Sequence, residues 1–220
     1  MVAVISAVRL QVGGWLCGVI APLLVIAGFF AVDEGGTAPL DAPALVLARE
    51  ITDQRARITI GAVIGMVGGL LLVGFLASLR TRLERHGQAG RWLATAAVAF
   101  GMVTVTGTFL YGSVRLADAA VADPGTLAES VRPLMALTTY MSGVLFWGLL
   151  GLVMIISIAG LITGMLPKAL AWVGMVLAAA SLALITTDHG GVGLAMLPWL
   201  TVASAVLLTA EYAGSQTDSD

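Results

Sequence analysis

A chain of 220 residues that is 59% hydrophobic, 11% charged and −2 in formal net charge has too little polar surface to cover a water-soluble core. Soluble domains hold about 25% charged residues, so this deficit and a mean hydropathy of +0.99 point to lipid as the solvent. The weak acidic balance leaves no basic footprint for nucleic acid, and Cys17, the only cysteine, excludes an intramolecular disulfide or a cysteine-based metal cluster.

Six apolar stretches follow in chain order: Val12–Val32, Ile58–Leu79, Trp92–Val114, Leu134–Leu166, Ala169–Thr187 and Gly191–Tyr212. None contains a charged residue except Glu211 at the last edge. A hydrocarbon core about 30 Å thick needs about 20 helical residues at ~1.5 Å each, so every stretch is long enough to cross it. The expected fold is all-α: a polytopic membrane protein with six transmembrane helices in one bundle over residues 1–213. Residues 214–220 form a polar tail expected to be disordered on the cytoplasmic side.

The first stretch outruns the about 7–15 residues of a signal-peptide core, and Phe29–Glu34 offers no small-x-small cleavage pattern, so it reads as a retained span. Between the first two spans, Ala42–Arg57 places Leu45, Val46, Ile51 and Ile58 among charges, a helical pattern that runs toward span two. Asp123-Pro124-Gly125-Thr126 with Glu129 has the residues of a helix start, and the helix is expected to continue through Pro133 into span four. Leu134–Leu166 counts 33 residues, too many for an untilted crossing, so its outer turns should project from the bilayer.

Connecting segments alternate in charge. Arg80, Arg82, Arg85 and Arg91 follow span two, and Lys168 follows span four, whereas Asp33–Arg57 and Arg115–Arg132 are rich in acids. Positive charge at span ends stays cytoplasmic, which puts both termini inside. Tight basic turns that lead into Trp92 and Trp172 give a faint internal echo; duplication of a two-span unit and the general interfacial preference of Trp and Arg both produce it.

Small residues recur every fourth position at Gly61, Gly65 and Gly69 on span two and at Gly160 and Gly164 on span four. Such stripes let helix backbones approach closely, either within the bundle or against a protein partner or second copy. Polar side chains gather toward the external ends of spans: Thr104, Thr106, Thr108 and Tyr111 on span three, Thr138, Thr139, Tyr140 and Ser142 on span four, and Thr186, Thr187, Asp188 and His189 as span five ends. Of these, Thr106, Tyr111, Thr139, Tyr140, Asp188 and His189 are the leading candidates. Together they form a candidate ligand site lining an outward cavity. Intrahelical bonds from the hydroxyls and an ordinary solvated turn at Asp188-His189-Gly190-Gly191 produce the same pattern. His86 and His189 lie on opposite sides, so they cannot share a metal; no cofactor, metal site or catalytic set is expected.

By this reading no ionisable residue lies deep in a span, which disfavours proton pumps and carboxylate-based ion transporters. Phosphate-loop, zinc-protease and serine-hydrolase signatures are absent from the sequence. At Gly164-Met165-Leu166-Pro167-Lys168-Ala169-Leu170-Ala171-Trp172-Val173-Gly174 the chain resembles a broad bacterial family of six-span membrane proteins, the group labelled DUF4386. The resemblance implies fold more than activity, since it brings no substrate or catalytic residues. Abundant Ala, Val and Gly, with arginine favoured over lysine, suits a GC-rich bacterial source and hence its plasma membrane. Three functions compete: a structural, regulatory or accessory membrane component binding partner helices or a lipid-like ligand; a small neutral-solute transporter or channel; and an enzyme using Asp188 and His189 outside. Reporter fusions after Arg85 and after Asp188 are expected to fall in opposite compartments, and the same compartment for both would refute the topology.

Overall fold

A computed structural model describes residues 2–33, 43–121, 128–185 and 194–217, which are helical apart from short turns. Seven helices lie among them: α1 (Val2–Asp33), α2 (Ala44–Asp53), α3 (Arg55–Glu84), α4 (Gly87–Val121), α5 (Ala128–Thr163), α6 (Lys168–Ile185) and α7 (Met196–Thr217). Five of them, α1, α3, α4, α5 and α7, contain stretches long and apolar enough to cross a membrane. The remaining long apolar helix, α6, has 18 residues and is the shortest of the group.

Most helices outrun the apolar runs that announce them, because a helix does not stop where lipid does. At the end of α3 the helix continues through Arg80 and Glu84, whose side chains pair at 2.7 Å across one turn. α7 likewise runs to Thr217, into the tail expected to be disordered from Gly214. α5 carries Pro133 inside it, as expected, but stops at Thr163 instead of Leu166. There Gly164, at φ 71°, takes the left-handed conformation that closes a helix, and its N–H donates to the Gly160 carbonyl at 3.0 Å. Gly164 therefore closes α5 at the turn. The backbone then reverses so quickly that the Pro167 carbonyl already accepts from Ala171 N–H in the first turn of α6.

Close approaches define the bundle. Gly14 of α1 faces Ser78 of α3, while Gly28 faces Gly61 and Gly65, so α1 and α3 run antiparallel. α4 and α5 do the same, with Gly107 against Leu145 and Gly151 against Phe100. Leu76 meets Gly101 and Met66 meets Gly112, which joins α3 to α4. Between these layers Trp15 and Phe75 pack edge-to-face with ring centres 5.8 Å apart, and both are fully buried. Gly61 thus packs on α1, where the Gly65 backbone meets Gly28 while its side-chain direction stays open; Gly69 faces Thr108 and Phe109 of α4, and Gly160 faces Leu166 and Ala171.

α6 and α7 depart from an up-and-down pair. In a regular antiparallel hairpin the start of one helix lies by the end of the next. Here the Trp199 indole N–H, near the start of α7, donates to the Leu170 carbonyl near the start of α6 at 3.0 Å. Gly174 provides the clearance for that ring, so the two helices cross. α7 instead packs along α1, with Ser204 at Gly18 and Arg82 of α3 reaching Glu211 at 2.8 Å.

α2 follows the amphipathic pattern of Ala42–Arg57, burying Leu47, Ala48 and Ile51 and exposing Leu45, Val46 and Arg49. It does not run straight into α3. Gln54, at φ −99° and ψ 6°, breaks the helix, and α2 packs its apolar face on Ile58, Ala119 and Met135.

A methyl group on Gly28 would lie 2.6 Å from the Gly61 carbonyl oxygen and 2.8 Å from Gly65 Cα, contacts that only a backbone shift relieves. One on Gly65 meets nothing within 4 Å. Gly28→Ala is therefore expected to lower stability by about 1–3 kcal/mol in detergent-unfolding titrations, with Gly65→Ala close to neutral. Equal effects would show that the α1–α3 contact is not the close one.

Candidate functional site

The inward face of α4 carries Thr104, Thr108, Tyr111, Arg115 and Asp118, spaced alternately four and three residues apart, which keeps them on one side of a helix. All five are buried. The sequence places Arg115 and Asp118 in an external connection; the structure carries α4 on to Val121 and buries them at 3% and 0% exposure. The two residues still lie beyond the apolar run, but packed inside the bundle and not in a solvated connection. The apolar run ends at Val114, but the polar stripe keeps helical spacing past it, and that spacing was the available signal.

Arg115 Nη1 lies 3.5 Å from Asp118 Oδ2, one turn along the same helix. Its Nη2 donates at 3.4 Å to the Val32 carbonyl, in the last turn of α1, where carbonyls lack helical partners and the helix dipole favours a cation. From α5 the Thr138 hydroxyl stands 3.2 Å from Asp118 Oδ2 and 3.0 Å from the Leu134 carbonyl; its single proton serves one of them at a time. Three helices are joined at this point. The apolar face of α2, with Leu47 fully buried, covers the cluster. Low dielectric under that cover strengthens the pair and makes loss of either partner costly.

One turn inward, Tyr111 stacks on Phe29 of α1, with ring centres 5.4 Å apart and planes 17° from parallel. Phe29 also meets Phe146 edge-on at 6.0 Å. Beside them is a space of about 20 Å³ bordered by Gly28, Gly65, Thr108, Tyr111 and Leu145. That is room for about one water.

Of the polar residues picked from sequence, Thr108 and Tyr111 line this space, as do the stripe glycines Gly61 and Gly65. Thr106 is exposed on the opposite side of α4, because two residues rotate a helix by about 200°. Thr139 and Tyr140 are exposed on α5, Tyr140 at 74%, while the neighbouring Thr138 turns inward. Asp188 and His189, with Thr186 and Thr187, lie outside the described residues. The inward hydroxyls follow the intrahelical pattern: Thr108 donates to the Thr104 carbonyl at 2.9 Å and Thr104 to Phe100 at 3.1 Å.

At the other end of the bundle Glu211 is held by Arg82, whose guanidinium also sits 5.8 Å from the centre of the Trp15 ring. Arg85 approaches the same carboxylate at 3.7 Å, and His86 is exposed beside them. This ties the ends of α3 and α7 together beside the basic turn. No family model, curated protein or solved structure matches the chain.

Removing one partner of an enclosed ion pair strands the other charge. Arg115→Leu and Asp118→Leu are each expected to cost about 3–5 kcal/mol, and the two replacements together less than either single change. A double-mutant cycle by detergent unfolding measures this; additive losses would mean that the two side chains do not interact.

Proposed function

We propose that the chain is a six-crossing membrane protein with both termini cytoplasmic, and that it serves as a structural or accessory component without chemistry of its own. The observation that carries this reading is the Arg115–Asp118–Thr138 cluster. Arg115, Asp118 Oδ2 and the Thr138 hydroxyl are engaged with one another and with the Val32 carbonyl, joining α1, α4 and α5. A site built for turnover keeps such groups turned to a substrate-sized cavity, whereas the space beside Tyr111 is about 20 Å³. A lipid-like ligand or partner helix would then sit on the outer faces of the bundle. Gly61 and Gly65 are already taken by α1, so a partner would use another surface. The bacterial plasma membrane as location, and kinship with the six-span family, belong to the same proposal; they are supported by the Arg80–Arg91 cluster, the composition and the Pro167–Trp172 turn.

A second reading, passage of a small neutral solute, is favoured by the polar stripe of α4. Purification in mild detergent is expected to retain a partner protein or bound lipid at fixed stoichiometry, and a lone lipid-free monomer would refute the accessory role. Uptake of glycerol or urea into proteoliposomes, lost in Thr108→Val but kept in Thr106→Val, would establish the second reading in its place.

A further inference from the structure

Three small spaces lie in sequence along the inward stripe of α4. The first, about 10 Å³, is at Arg115, bordered by Gln54, Ile58 and Met135 beneath α2. The second is the 20 Å³ space at Tyr111 and Thr108, one turn farther along α3 at Gly61 and Gly65. The third, about 10 Å³, is at Thr104, shares Val25 and Leu145 with the second and is otherwise bordered by apolar side chains, so it stays dry. Successive turns of α4 therefore border successive spaces, each about the size of a water. Past Thr104 the interior closes on Phe75, Leu76, Leu79, Leu149 and Leu152, all at 2% exposure or less.

We propose that this stripe holds water in its first two spaces, entered from the α2 end, that hydrates the Arg115–Asp118 pair and stops at Thr108. Asp118 supplies the second, independent sign. Its side chain is completely buried, and Oδ1 has no hydrogen-bond partner among the described residues. An enclosed carboxylate oxygen of that kind is ordinarily served by ordered water. Farther in, the Thr108 hydroxyl commits its proton to the Thr104 carbonyl, which leaves its lone pairs to accept from a water in the second space. Gly65 sets the width there, since a methyl group at that position meets no atom within 4 Å and takes up part of the space. The ligand class is water, or a neutral hydrogen-bonding molecule no larger. A structural protein and a permease can both hold such a file, so this inference stands apart from the two readings of function.

Hydroxyl-radical footprinting by pulsed X-rays, which generates the radical from water in place, tests the file on the intact protein in lipid nanodiscs. After correction for intrinsic side-chain reactivity, Tyr111 and Met135 are expected to be oxidised about tenfold or more faster than Phe75, although all three are buried. Gly65→Ala is expected to slow Tyr111 oxidation about threefold or more and to leave Met135, at the entrance, unchanged. Tyr111 oxidised no faster than Phe75 would overturn the proposal. So would a fast Tyr111 indifferent to Gly65→Ala, because the radical would then arrive by another route. Should Gly65→Ala fail to fold, the wild-type ratio of Tyr111 to Phe75 still decides.

Discussion

Lipid offers no hydrogen bonds, so polar groups carried into the bundle are paired within the protein or served by enclosed water. The architecture follows from that constraint. Backbone groups are satisfied by running the chain as helix through almost all of its described length. Hydroxyls turn back on carbonyls one turn earlier, as at Thr104, Thr108, Thr138 and Ser157. The charges that remain enclosed are kept at the ends of the bundle, Arg115 with Asp118 at one and Arg82 with Glu211 at the other. Each pair joins elements far apart in sequence, through Val32 and Thr138 in the first case and through α3 and α7 in the second.

Because apolar burial gives no net drive between helices in hydrocarbon, close contact has to do the holding. Glycine supplies it where two backbones touch, as between Gly28 and Gly61, and where a large ring needs room, as at Gly174 under Trp199. The same residue type serves a different purpose at Gly65, where the absent side chain leaves space, and at Gly164, where it permits a left-handed turn. A glycine repeat is therefore not one feature but several, and only the facing surface says which.

This explains how much of the fold was legible. Long uncharged runs announce the helices long and apolar enough to cross a membrane, since a charge at mid-bilayer is costly and its absence is plain. Amphipathic spacing announces α2, and the helix-start residues ahead of Pro133 put that proline inside α5. What sequence could not show was the direction of each side chain. Thr106 and Thr108 look alike in a list of hydroxyls, yet one faces outward and the other inward. Arg115 and Asp118 sit just past an apolar run, where loop and helix carry the same composition; the fourth-and-third spacing from Thr104 was the cue that distinguishes them. The crossing of α6 over α7 depends on one indole reaching Leu170, a contact 29 positions apart that no local pattern encodes.

The abrupt hand-over from α5 to α6 carries a mechanical consequence. Four residues, Gly164 to Pro167, separate the two helices, and Gly160 with Ala171 and Ser157 with Gly174 clasp their adjoining turns. The base of α6 is thereby anchored to α5, and the Trp199 indole pins the same stretch to α7. Any swing of α6 must pivot at that base and be largest at its far tip, like a door hung on a hinge beside its frame.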